Sequence, residues 1–91
     1  MLFMVVERFR TPGARAVYRR ARDQGRMLPD GVRYVSSWVD FDFTRCFQLM
    51  EAESAKALDP WIARWADLVE FEVVPVRTSA EASEAIKPTL D

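Results

Sequence analysis

Two strand-type runs lie almost back to back in RYVSSWVDFDFTRCFQLMEAE, residues 33–53. Both are rich in β-branched and aromatic residues, and only Asp42-Phe43-Thr44 separates VRYVSSWVDF from RCFQLMEA, so they read as a hairpin. This pair constrains the fold because each side of it carries a helix-type segment and then another strand. LFMVVERF, residues 2–9, is the first strand and ends at Thr11-Pro12-Gly13. Thr11 is placed to cap a helix opening at Pro12, along which Ala14, Val17, Tyr18 and Ala21 recur at helical spacing. Gly25 closes that helix, and Pro29-Asp30-Gly31 turns the chain into the hairpin.

After the hairpin, Pro60 sits where a helix beginning at Ser54 would have its interior. Two readings accommodate it: a short turn at 55–58 followed by a helix capped by Asp59 with Pro60 first, or a kinked helix. Leu58, Ile62, Trp65 and Ala66 form its apolar stripe, with Trp61 at the margin. Glu70 to Val76 is a fourth strand, and Pro75, lacking an N–H, places it at a sheet edge. Thr78 and Glu81 have the spacing of a capping box, which predicts a short terminal helix stopped by Pro88.

The order βαββαβ predicts one α+β domain over residues 1–91, with 78–91 as a helical tail. Crossovers of the usual hand give a ferredoxin-like, four-stranded antiparallel sheet with both helices on one face. The other face is then bare. Strict alternation assigns Val35, Val39, Phe41, Phe47, Leu49, Leu2, Met4 and Val6 to the helix side. The bare side receives Phe3, Val5 and Glu7, then Tyr34, Ser36, Trp38 and Asp40, then Cys46, Gln48 and Met50, with Glu72 and Val74. So many large apolar groups predict a covered patch, and a second copy packed sheet on sheet would cover it. Incomplete closure would leave a pocket for a small organic molecule, lined by Glu7, Tyr34, Ser36, Trp38, Asp40, Gln48 and Met50.

Composition narrows the chemistry. The chain has no histidine and one cysteine, Cys46. That removes the usual general base near neutral pH, the His-paired nucleophiles and any structural zinc site within one chain. The remaining acid–base candidates are Glu7 and Asp40, set against pairing of each with an arginine. Asp40, Asp42 and Glu51 do not share a sheet face, so no metal is expected, and no Gly-rich nucleotide motif indicates a cofactor. Residues 1–33 carry eight arginines against three acids, whereas residues 34–91 carry a net −6. Two such surfaces suit a symmetric pair, and the acidic part disfavours nucleic acid. The longest apolar run, LFMVV, is too short for a membrane span and lacks the marks of a signal peptide. A single cysteine is compatible with a reducing compartment, and cytoplasm is the expected location.

MLFMVVERF, GRMLPDGVRYVSSWVD, RCFQLME and WIARWADLVEFEVVPV resemble a bacterial family of small proteins catalogued as a domain of unknown function, over residues 1 to about 77. That family is similar in type to the dimeric α+β barrel proteins, among them small monooxygenases, dehydratases and isomerases. The resemblance implies a ferredoxin-like homodimer with a cavity and brings no catalytic residue set with it. Three functions follow as expectations: a homodimeric binder of a small organic molecule, a cofactor-independent enzyme using Glu7 or Asp40, or a structural dimer.

Overall fold

A computed structural model describes residues 1–90. Four strands, β1 (Leu2–Phe9), β2 (Arg33–Val39), β3 (Arg45–Glu51) and β4 (Val69–Val76), form one antiparallel sheet in the order β2-β3-β1-β4. Helix α1 (Ala14–Gln24) connects β1 to β2, and α2 (Asp59–Trp65) connects β3 to β4. A third helix, α3 (Ser79–Ile86), follows β4. The architecture is α+β and consistent with a ferredoxin-like fold.

Most boundaries fall where local chemistry predicts. A 3₁₀ turn over Ala55–Leu58 precedes α2, and Pro60 occupies the first turn of that helix, where its missing N–H costs no bond. β4 lies at an edge and tolerates Pro75 there. Thr78 and Glu81 form a reciprocal capping box at α3. The start of α1 differs: Thr11–Pro12 is cis, and the helix opens at Ala14 behind Gly13, so Thr11 caps nothing.

The sheet faces are the main correction. Phe3, Val5, Glu7, Gln48 and Met50 are all buried, and they lie beneath α1 and α2, not on the bare side. Leu58, Trp61 and Trp65 close the core over them, and Val69 adds to the buried row from β4. Burying each of these large apolar groups contributes about 1.5–3 kcal/mol. Leu2, Met4, Val6, Phe47 and Leu49, expected under the helices, instead point the other way and are half-buried. Both rows of β1 are apolar, so alternation alone did not say which was inward.

In β2 the register itself changes. Tyr34 opposes Met50, but Ser36 opposes Leu49, leaving Val35 as an extra residue in a bulge. Tyr34 therefore joins the helix side, together with Ser37 and Val39, while Ser36 and Trp38 keep the bare side. Trp38 is 55% exposed there. Phe41, expected inside, is fully exposed at the tip of the β2–β3 loop.

Candidate functional site

The seven residues expected to share one pocket divide into three groups. Glu7, Gln48, Tyr34 and Met50 lie on the helix side, and Ser36 and Trp38 on the bare side. Asp40 belongs to neither. Its Oδ1 accepts the backbone N–H groups of Thr44 (2.8 Å) and Arg45 (3.1 Å). Its Oδ2 accepts the Thr44 hydroxyl (2.6 Å) and Arg45 Nε (3.3 Å). These bonds, led by the Thr44 hydroxyl, hold the carboxyl well below the usual range. Asp40 is a permanently ionised staple of the hairpin loop. It is not a proton carrier beside Glu7.

A cavity of about 280 Å³ lies between the sheet and the two helices. It exists because α1 stands off the sheet: the helix has no fully buried residue and offers only Val17, Tyr18 and Ala21 inward. Contacts from Arg20 and Tyr18 brace it there. Arg20 makes a bidentate pair with Asp67 (2.8 and 2.7 Å), donates to the Arg64 carbonyl (3.0 Å) and lies over the Trp65 ring. Tyr18 meets Phe9 and Phe43 edge to face, with centroids 6.5 and 6.2 Å away. Trp61 and Trp65 from α2 close the other side, and Glu7, Ser37, Cys46 and Gln48 rise from the sheet.

Glu7 is the one carboxylate buried in this space, with 5% exposure. Burial pushes its pKa up to about 7, against the opposing effects of the Gln48 hydrogen bond and the Arg26 charge. The bond directions are fixed by elimination. Arg26 Nε can only donate, and it donates to Gln48 Oε1 at 3.3 Å. The Gln48 amide must then turn its NH₂ toward Glu7, and Nε2 donates to Glu7 Oε2 in a short hydrogen bond. Oε2 is thus an acceptor. A proton carried by Glu7 belongs on Oε1, which has no partner among the described residues yet is not sealed from the cavity.

The neighbours are less reactive. Burial first, and the Glu7 charge second, push the Cys46 thiol up to about 12, so no thiolate nucleophile is present. The Tyr18 hydroxyl is also raised, chiefly by burial. Ser37 Oγ is engaged with the Tyr34 hydroxyl at 2.7 Å. Among the described residues no group of three or more His, Cys, Asp or Glu side chains is gathered for a metal. None of the helices is long and apolar enough to cross a membrane.

Sequence reasoning found Glu7 and Gln48 but missed Arg26 and Tyr18. GRMLP reads only as a helix exit, and the contact from Arg26 to Gln48 spans 22 residues, beyond any local pattern. Tyr18 carried a usable signal: a phenol on the inward stripe of a helix otherwise offering Ala and Val. Trp61 and Trp65 are core, as their spacing indicates, and also wall the cavity.

No curated protein and no solved structure matches the chain. Its sequence does match one family along nearly its whole length. The chain belongs to the family described as domain of unknown function (DUF3303), which it matches over residues 1–90.

Proposed function

We propose that this protein binds a small organic molecule in the cavity between its sheet and its helices, with Glu7 Oε1 as the polar contact, and that it works as a homodimer. The observation that carries the reading is a carboxyl in a residue only 5% exposed, whose Oε1 opens to the cavity and has no hydrogen-bond partner among the described residues. An oxygen open to the cavity can bond a ligand there without breaking any bond within the fold. The walls, largely Phe9, Val17, Tyr18, Trp61 and Trp65, suit an apolar or aromatic body. This places the pocket on the flank opposite the one expected from alternation.

The homodimer rests on the bare face. Met4, Val6, Phe47 and Leu49 are half-buried there, and Trp38 and Val74 are exposed beside them. A twin sheet stacked on it would give a dimeric α+β barrel. One cysteine fits a cytoplasmic setting.

A second reading is favoured by a specific feature: a carboxyl titrating near 7 can both give and take a proton at physiological pH. A cofactor-independent enzyme of isomerase or monooxygenase type would use Glu7 in that role. Asp40 offers no support for it.

The test is a thermal-shift screen of small aromatic and aliphatic metabolites against wild type and Ala21→Phe, which fills the cavity from α1. Ligand at about 100 times its Kd raises stability by roughly 2.7 kcal/mol. Hits that vanish in Ala21→Phe support the reading. A wild type that no compound stabilises leaves a structural dimer.

A further inference from the structure

The cavity carries a second polar element, a cation that acts on Glu7 from a distance and forms no salt bridge among the described residues. This is Arg26, in the loop between α1 and β2. Its position is nevertheless built. Trp65 Nε1 donates to the Arg26 carbonyl at 3.0 Å, Arg64 donates to the next carbonyl, at Met27, and the guanidinium lies 3.6 Å from the centre of the Tyr34 ring. Nε is spent on Gln48, and the two terminal nitrogens of this exposed side chain have no hydrogen-bond partner among the described residues. A guanidinium fixed through its backbone, ring face and Nε, with its fork left over, is arranged for a planar anion.

We propose that the ligand is a small organic monocarboxylic acid bearing a second acceptor group, its carboxylate held by Arg26 and its carbonyl or hydroxyl oxygen accepting a proton-mediated hydrogen bond from Glu7 Oε1. This rests on the reading that the cavity binds an organic molecule and specifies which class. Charge count selects the class. The cavity offers one unpaired cation, which matches one carboxylate and is insufficient for a phosphoryl dianion beside a second acid. Gln48 couples the two ends, because the bond it accepts from Arg26 is what points its NH₂ at Oε2 and reserves Oε1 for the ligand. The apolar body would lie against Tyr18 and Trp61.

The charges facing Glu7 are few: Arg26 from the α1–β2 loop lowers its proton affinity, and Cys46 and Tyr18 remain neutral near pH 7. An anionic ligand therefore binds with Glu7 protonated and takes up a proton above about pH 7.

Calorimetric titrations with 4-hydroxybenzoate and phenylpyruvate, each beside its neutral amide, test the proposal. Wild type should prefer the acids by roughly tenfold or more, with affinity falling up to about tenfold per pH unit above 7. Arg26→Gln should abolish the preference while retaining the amides, and Arg26→Lys should restore it only in part. Glu7→Gln keeps a donor toward the cavity and should bind with no pH dependence. Binding of the amides as tightly as the acids, or an unchanged preference in Arg26→Gln, overturns the carboxylic acid and leaves the cavity reading standing. Binding of no compound from either series overturns both.

Discussion

Gln48 donates its amide N–H to Glu7 Oε2, and among the described residues it is the only side chain hydrogen-bonded to that carboxyl. The two residues sit on neighbouring strands beneath the helices, where alternation in a half-covered sheet ordinarily places apolar groups. The amide satisfies one oxygen and leaves the other to the cavity. Several consequences can be measured.

Glu7 makes the fold less stable as pH rises. Its pKa goes from 4.5 in the unfolded chain to about 7 in the fold, so between those values the folded state holds a proton that the unfolded state has lost. Stability from this group is complete below pH 4.5 and declines toward 7, by about 3 kcal/mol in all. Glu7→Gln should flatten that part of the urea-unfolding profile.

Gln48→Leu removes the donor and leaves Glu7 Oε2 buried without a partner. An expected loss of about 1–3 kcal/mol at pH 8, shrinking at pH 5 where Glu7 is neutral, would separate this from simple packing loss.

The buried Trp61 and the exposed Trp38 should behave differently. Trp61 is fully buried, with its ring edge-to-face on Phe71 at 5.4 Å, and Trp61→Ala should cost about 3–5 kcal/mol, enough to unfold a chain of this size. Trp38→Asp should leave the fold intact and convert the proposed dimer to a species of 10.5 kDa by light scattering. A wild type already at that mass would remove the dimer from the account.

Helix α3 has no buried residue, and it caps itself through Thr78 and Glu81. Ending the chain after Arg77 should therefore change monomer stability by no more than about 0.5 kcal/mol in chemical unfolding.

Much of this fold is legible in the sequence because its punctuation is local. Pro60, Pro75 and the Thr78–Glu81 pair each act within a few residues of themselves, and the elements begin and end around them. The faces were not legible. Leu2, Met4 and Val6 are as apolar as Phe3 and Val5, so β1 carries no sign of its inward row. The bulge at Val35 then breaks the parity of β2, separating Tyr34 from Ser36 and Trp38. Glu7 and Gln48 added to the error, since polar residues on a strand point to solvent unless they satisfy one another. The candidate site was recovered in its acid and amide and missed in its cation. Arg26 is tied to the site by Gln48 and Trp65, both distant in sequence, and by Tyr34 across the turn into β2.

The most direct test is a carbon-13 NMR titration of the Glu7 side-chain carboxyl between pH 3 and 9. A midpoint near 7 that moves upward when a cavity ligand is added is the predicted result. A midpoint at the ordinary 4.5, unmoved by any ligand, would mean that Glu7 is solvated and that the cavity holds no poised acid.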